Sequence, residues 1–443
     1  MSYEKIKPWI SSSASNLLIG GIGLLSGILL ARNLGPTDRG VLAESLLWPS
    51  FVLILGSVIN TQTIVYFWTK AKSSDYESRQ SVFGTSLLLA GLLTCILLII
   101  GFGVNFFALG LSEKESYWFA NIYLISIPLS LFSACFAAIF LAEERYNFFW
   151  GLRMSQSIMY LAGLLALIIF DSLEILNVIL VILASLLVQV IVSILLYLKN
   201  FRLRLSVNHD LTKPLLKYGT RTNLAGLPYH LNARIDQLLM SLLLAPQVLG
   251  FYVVAYGWSS LLSFLGGGAS IVMLPQSAST DPSNQGDVFS LVRKFRQIFI
   301  VLVIAGIAAA VAAPIGIRVF FGLEFIPSIV PAMILCIAGI MLNGNLVVHE
   351  MARGLGHPDL GMWAEGVGLI FTVILLFALL PLWGGVGAAI ASLVSYSIVF
   401  VIIVLLLSRR VHISSRSFLP HLSDINEYRI WSINLIHSWR SSN

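Results

Sequence analysis

Polar and charged side chains cluster in one apolar stretch of the sequence, residues 215–244. They comprise Arg221, Asn223, His230, Asn232, Arg234, Asp236, Gln237 and Ser241. At about 100° per residue beyond Pro228, four of them fall within roughly 60° of one another, namely His230, Arg234, Gln237 and Ser241. Guanidinium and imidazole groups on one helix face can donate hydrogen bonds to phosphate oxygens. The pattern predicts an anion site with Arg234 as the main ligand and Arg221, His230, Gln237 and Asn223 in support.

The same stretch allows a structural interpretation, in which Asp236 neutralises a nearby arginine inside a hydrogen-bonded core. A carboxylate beside cations can also change its protonation state when its surroundings change. Asp236 is therefore the first candidate for an ion-coupling carboxylate. Glu44, at the start of the second apolar stretch, is the other candidate.

Arg32 and Arg153 are further candidate substrate ligands in the first half of the chain. Arg32 ends the first apolar stretch and Arg153 opens the fifth. A long cationic side chain at such a position can instead snorkel to the membrane surface. Both interpretations stay open for these two residues.

The sequence contains no recognisable catalytic motif. GxSxG, HExxH and the Walker A pattern are all missing, and the seven histidines and few carboxylates are scattered along the chain. The three cysteines lie in apolar stretches, which disfavours a zinc site. We therefore expect transport rather than bond chemistry, with no enzyme activity, no metal site and no cofactor.

The composition is that of a membrane protein. Apolar residues make up 57% of the 443 residues and charged residues 11%, whereas a soluble domain carries about 25% charged residues. Mean hydropathy is +0.88. The net charge of +6 indicates membrane topology and not nucleic-acid binding.

Twelve apolar stretches are long enough to cross a membrane as helices. They are 10–30, 41–67, 82–109, 118–141, 148–170, 175–198, 215–244, 250–274, 298–319, 326–348, 362–382 and 386–407. The predicted fold is all-α, with a first six-helix bundle over 1–198, a connector over 199–217 and a second bundle over 218–408. The basic tail, 409–443, carries Ile425, Tyr428, Leu435, Ile436 and Trp439 on one helical face, which suggests an interfacial helix. A loosely ordered basic tail is an equally open alternative.

The cationic residues define the orientation. If the termini are cytoplasmic, 21 of the 27 lysines and arginines lie in inside segments and four lie in outside loops, including Arg39 and Lys114. Inside loops of membrane proteins are enriched in cations. Both termini and the connector are therefore predicted to be cytoplasmic.

An internal repeat relates the two halves at an offset of 210 residues. Segments 34–56 and 244–266 are identical at seven of 23 positions, where chance gives roughly two. Three of these pairs are Pro36/Pro246, Gly40/Gly250 and Trp48/Trp258. Because six spans per copy is an even number, the repeat predicts two parallel bundles related by a pseudo-two-fold axis along the membrane normal. A cleft is expected with the first, second, seventh and eighth spans at its walls.

Two segments resemble a known family. Residues 27–67 contain the run LARNLGPTDRGVLA at 30–43, followed by an apolar helix and a Gln–x–x–Val–Tyr pattern at 62–66. Residues 231–255 read LNARIDQLLMSLLLAPQVLGFYVVA. Both are similar to Wzx-type polysaccharide-biosynthesis flippases of the multidrug/oligosaccharidyl-lipid/polysaccharide exporter superfamily. Together they cover about 65 residues.

The resemblance implies a bacterial inner-membrane flippase. Such a protein moves undecaprenyl-pyrophosphate-linked oligosaccharide units, as in O-antigen and lipopolysaccharide biosynthesis, to the outer leaflet by alternating access. It implies coupling to H⁺ or Na⁺, contact with membrane lipid, a monomeric state and cooperation with a polysaccharide polymerase and chain-length machinery.

Two alternatives stay open. One is a multidrug or cation antiporter of the same superfamily, although segment 10–30 lacks the acidic residue that such exporters often carry. The other is a membrane-embedded polysaccharide polymerase or ligase, for which a large outer loop is expected. Peptidoglycan-precursor flippases usually have fourteen spans, two more than here.

Overall fold

The computed structural model describes residues 3–71, 76–112, 114–201, 206–282 and 284–421, with side chains from Ser15 onward except those of Tyr76, Glu77 and Ser112. Within these ranges the chain is helical and contains no strand. The predicted interfacial helix of the tail and residues 202–205 of the connector lie outside the described residues. The helices are α1 (Tyr3–Gly56), α2 (Thr61–Lys70), α3 (Tyr76–Ala108), α4 (Ser116–Tyr123), α5 (Ser126–Ala142), α6 (Tyr146–Ile169), α7 (Ile175–Asn200), α8 (His209–Asn232), α9 (Ile235–Leu243), α10 (Pro246–Ser259), α11 (Leu262–Ala278), α12 (Gln285–Gly316), α13 (Ile329–Gly354) and α14 (Asp359–Arg410).

Eight helical segments in the described ranges are long and apolar enough to cross a membrane. The longest two, within Ser15–Lys70 and Asp359–Arg410, each contain two predicted spans. A bent pair, α10 with α11, makes a ninth candidate and corresponds to the predicted eighth span. The predicted seventh span is α8 followed by α9, whose polar residues keep its hydropathy low. Counted in this way, the helices accommodate all twelve predicted spans.

Glycine permits the breaks inside the two longest helices. Gly35 has φ 75° and ψ 176°, and Gly384 has φ 52° and ψ −129°. Positive φ is costly for residues with a Cβ atom, so glycine is the residue that accommodates it. Pro36 follows Gly35, and its fixed φ suits the first turn of the helix that begins there.

The described contacts divide the chain into two compact units. Unit 1 comprises Met1–Gly257 and Gly316–Ser328, and unit 2 comprises Trp258–Ile315 and Ile329–Asn443, each as far as it is described. Contacts thus group α8, α9 and most of α10 with the first six spans. The boundary predicted from sequence at 199–217 stays a prediction.

Aromatic packing contributes to the core of each unit. In unit 1, the Phe83 and Tyr197 rings stack with centroids 4.7 Å apart, and Phe136 meets Phe83 edge-on. In unit 2, Phe299 and Phe400 stack at 5.1 Å. Offset-stacked and edge-on aromatic pairs contribute packing energy beyond the apolar area that they bury.

The repeated residues make a reciprocal contact within unit 1. A Cβ atom on Gly40 would overlap the carbonyl oxygen of Pro246, and a Cβ atom on Gly250 would overlap the carbonyl oxygen of Pro36. Gly40 and Gly250 are repeat-related, as are Pro36 and Pro246. The second half of α1 and the start of α10 therefore cross with their backbones in contact, which only glycine permits.

We expect Gly40→Ala to destabilise the protein, because the added methyl group forces the two backbones apart. Overpacking of this kind costs about 1–3 kcal/mol. Thermal unfolding of the purified protein in detergent measures the effect. Gly257→Ala in α10 is the matched control, because a Cβ atom there meets no described atom within 4 Å beyond its chain neighbours and its own helix backbone. Equal unfolding temperatures for Gly40→Ala and the wild type would contradict the contact.

Candidate anion-binding cavity

Unit 1 contains a partly open cavity of about 190 Å³, at which His230 and Arg234 are exposed. Its lining residues come from the second half of α1, from α8 and α9, and from one position of α10. They are Arg39, Ala43, Leu46, Leu47, Ser50, Phe51, Ile54, His230, Leu231, Arg234, Gln237, Leu238 and Val253. These helices belong to the second, seventh and eighth spans, three of the four predicted to line a cleft.

One face of α1 forms the first wall. Arg39, Ala43, Leu47, Ser50 and Ile54 recur at intervals of three or four residues, which places them on the same side of a helix. The helix ends at Gly56. The wall is therefore mostly apolar, with the guanidinium of Arg39 near its N-terminal end.

A helix break forms the second wall. α8 continues through Pro228 and ends at Asn232, and α9 begins at Ile235. Arg234 lies at the break with φ −135° and ψ −12°. The sequence predicts that the polar residues beyond Pro228 share one face of a continuous helix. This prediction is wrong, because the helix is interrupted before Gln237. His230, Arg234 and Gln237 nevertheless line one cavity.

The ionisable and amide side chains of the lining are hydrogen-bond donors. The Nε–H of Arg39 and the Nε2 amide of Gln237 are buried and have no hydrogen-bond partner among the described residues. Gln237 is 2% exposed. The guanidinium of Arg234 lies 5.7 Å from the ring centroid of Tyr256, and no carboxylate lines the cavity. Buried donors without acceptors are costly, so a ligand rich in acceptor oxygens fits this space.

Sequence reasoning missed Arg39, because its position before the second span suggested an outer loop. Arg39 lies four residues before Ala43 and eight before Leu47, on one helical face. Extending the helical periodicity of α1 backwards from these residues would have found it. Ser241, predicted on the polar face, does not line the cavity and accepts a hydrogen bond from Trp48 Nε1 at 3.2 Å.

Both candidate coupling carboxylates lie outside the cavity lining and are deeply buried. Asp236 is 1% exposed and accepts hydrogen bonds from the Tyr252 hydroxyl and from the Gln237 backbone N–H at 2.7 Å. Glu44 is 0% exposed and pairs with Lys114, with 3.1 Å between Nζ and Oε1. Lys114 lies between α3 and α4, in the loop that the sequence predicts to be outside, and its side chain reaches Glu44 in α1.

Four other predicted ligands do not line the cavity. Arg221 is exposed on α8, and Asn223 Nδ2 donates to the Ile54 carbonyl at 3.1 Å. Arg32 donates to the carbonyls of Phe320, at 2.8 Å, and Val319. Arg153 is exposed, with its guanidinium 5.5 Å from the Trp150 ring centroid. Among the described residues no three His, Cys, Asp or Glu side chains are grouped to hold a metal ion.

Comparisons with known proteins identify relatives of the chain. The family model for polysaccharide biosynthesis proteins matches residues 6–280. An uncharacterized membrane protein of Methanocaldococcus jannaschii is 26% identical over 195 residues, which is 42% of this chain and 44% of that protein. The chain thus spans less than half the length of this curated relative.

Solved structures share the fold. The lipid II flippase MurJ, in an inward closed conformation, matches with a TM-score of 0.77 and 13% identity, over 92% of this chain and 89% of that one. An inward-facing multidrug resistance MATE family transporter of the MOP superfamily matches with a TM-score of 0.72 and 16% identity, over 88% of this chain and 94% of that one. The predicted fold class, an all-α membrane protein of about twelve spans in two bundles, is confirmed. The chain belongs to the polysaccharide biosynthesis protein family.

Proposed function

We propose that the protein is a flippase that moves undecaprenyl-pyrophosphate-linked oligosaccharide units from the inner to the outer leaflet of a bacterial inner membrane. Membership of the polysaccharide biosynthesis family supports a lipid-linked glycan as cargo. The fold shared with a lipid II flippase supports transfer across a bilayer by alternating access.

The donor-lined cavity is the observation that carries this proposal. A pyrophosphate group is rich in acceptor oxygens and carries negative charge. Arg39 and Arg234 supply fixed positive charge, while Gln237 and His230 supply further hydrogen-bonding groups. Charge-assisted hydrogen bonds of this kind replace the water that the headgroup loses when it leaves the membrane surface. A neutral drug would leave the two arginines unpaired.

The polyprenyl tail and the glycan of the proposed cargo do not require a charged binding site like the one for the pyrophosphate. The polyprenyl tail is apolar, so it can remain in the bilayer while the headgroup crosses. A glycan is recognised by neutral hydrogen bonds spread over many helices. In this proposal the protein acts as a monomer, and a polymerase with its chain-length machinery receives the flipped unit.

Ion coupling is the second part of the proposal. Asp236 lies next in sequence to Gln237, and its carboxylate is tied to the same helix turn. Binding of H⁺ or loss of it at this carboxylate changes the charge beside Arg234. This supports Asp236 as the coupling group, with Glu44 in a different role described below.

We expect Asp236→Asn to lower transport about ten-fold or more, the effect of losing one charged hydrogen-bonding group. Asparagine keeps the shape, its amide oxygen can accept from the Gln237 N–H, and its Nδ2 can donate to the Tyr252 hydroxyl oxygen, so protein abundance should not change. Transport in vesicles with imposed H⁺ or Na⁺ gradients measures the effect, and Asp171→Asn in an exposed turn is the control. Gradient dependence identical to the wild type would exclude the coupling role.

We expect both termini to be cytoplasmic, because inside segments hold 21 of the 27 cations. Single cysteines at Asn208 and Asp171, both exposed, should react with a membrane-impermeant thiol reagent from opposite sides. Labelling of both sites from the same side would rule out the twelve-span topology.

Deletion of the gene tests the function itself. Accumulation of lipid-linked units on the inner leaflet supports the flippase. Accumulation of unpolymerised units on the outer leaflet would identify a polymerase or ligase, and drug sensitivity with normal surface glycan would identify an exporter.

A further inference from the structure

Lys114 joins three segments of unit 1 at one point. Its Nζ donates to Glu44 Oε1, in α1, at 3.1 Å, and to the carbonyl oxygen of Ser241, in α9. Ser116, at the start of α4, donates its hydroxyl to the second carboxylate oxygen of Glu44 at 2.9 Å. The segment between α3 and α4 therefore ties α1 to α9.

Burial makes this contact sensitive to change. Glu44 is 0% exposed, and the Lys114 side chain is 18% exposed. A buried carboxylate is tolerated when its charge is compensated and its oxygens accept hydrogen bonds, and removal of one partner is costly. Loss of Lys114 would leave the Glu44 carboxylate buried without its cation, so the lysine makes a large contribution to this junction.

α9 is a short helix with non-helical residues at both ends. Arg234 precedes it with φ −135°, and Leu244 follows it in an extended conformation with φ −123° and ψ 164°. A rigid element between two such joints can move as one body. Lys114 and Trp48 hold its C-terminal turn through Ser241, while Gln237 and Leu238 form the cavity wall.

We infer that Lys114 is a latch that closes the cavity at the end where Arg39 lies. Its bond to the Ser241 carbonyl holds α9 against α1, and its ion pair with Glu44 fixes the lysine in place. Release of Lys114 lets α9 move away from α1 and uncovers the cavity face of α1, including Leu47. The inference concerns closure and not the cargo, so it does not depend on the proposed substrate.

The test measures access to the cavity. Leu47, which is 7% exposed and lines the cavity, is replaced by cysteine in a chain whose three native cysteines are removed. The rate of modification by a membrane-impermeant maleimide is measured in intact cells and in inside-out vesicles. Lys114→Met should raise this rate about ten-fold from one side, the population change expected from loss of one charged hydrogen bond.

Two further variants distinguish loss of the Lys114 bond to Ser241 from a general effect of removing a buried charge. Glu44→Gln keeps the Lys114 bond to Ser241 and should raise the rate less than Lys114→Met does. The double variant Lys114→Met/Glu44→Gln leaves no uncompensated buried charge, so it should fold and should match Lys114→Met in labelling rate. It keeps the inference testable if Lys114→Met alone fails to fold.

Arg79→Met is the matched control. Arg79 pairs with Glu143 at 3.1 Å, and their side chains are 21% and 18% exposed, in the same unit but away from the cavity lining. Loss of that pair should leave the Leu47→Cys rate unchanged. The inference fails if folded Lys114→Met and the double variant both label at the starting rate, or if Arg79→Met raises the rate equally.

Discussion

Arg234→Ala is expected to abolish transport while the protein remains in the membrane at normal abundance. Each charge-assisted hydrogen bond contributes about 1.5–3 kcal/mol, so loss of a guanidinium that holds two phosphate oxygens lowers transport by roughly a hundred-fold or more. Arg234→Lys keeps the charge but loses the planar fork, and an intermediate rate is expected. Transport of a lipid-linked oligosaccharide into vesicles measures both variants.

A structural role for Arg234 makes the opposite prediction. If the guanidinium served mainly to hold helices together, for example through its contact with Tyr256, then Arg234→Ala would lower protein abundance and unfolding temperature. Normal surface glycan from a well-expressed Arg234→Ala variant would end the anion-site proposal.

Arg39→Met is expected to separate function from stability. The Nε–H of Arg39 is buried with no hydrogen-bond partner among the described residues, so an apolar replacement of similar length removes an unfavourable donor. We expect the unfolding temperature without substrate to stay the same or rise. Transport should fall about ten-fold or more, because one of the two arginines that line the cavity is lost.

Arg318→Met is the control for Arg39→Met. Arg318 is exposed and does not line the cavity, so its replacement should change neither the unfolding temperature nor the transport rate. If Arg39→Met transports normally, the Arg39 guanidinium does not bind the cargo. If it unfolds at a markedly lower temperature, Arg39 has a structural partner instead of a ligand.

Hydropathy and local chemistry predict much of the fold. Continuous apolar runs identify the spans because each run must cross the same hydrocarbon thickness. The Gly–Pro pair at 35–36 also predicts a turn, and the structure places the helix break at Gly35. These signals are local, so they can be read from consecutive residues.

The site depends on contacts that consecutive residues do not specify. The helix breaks at Arg234, just before α9, where the backbone is not helical. Pro228, the residue that the sequence suggests as the helix breaker, remains within α8. Lys114 has the sequence signature of an outer-loop cation, but its partner Glu44 is 70 residues away in the chain. Such pairings follow from the packing of whole helices, which local periodicity does not encode.

The reciprocal crossing of α1 and α10 has the form of a symmetric dimer interface. In a two-fold dimer, residue i of one subunit contacts residue j of the other, and j contacts i in return. Gly40 with Pro246 and Gly250 with Pro36 meet this condition within one polypeptide, at positions related by the internal repeat. A six-span ancestor that paired with a second copy of itself through one proline and one glycine would leave this contact after gene duplication and fusion. The backbone crossing then predates the differences in charge between the copies, and Arg39, whose repeat partner is Leu249, is a cation that only the first copy carries at this position.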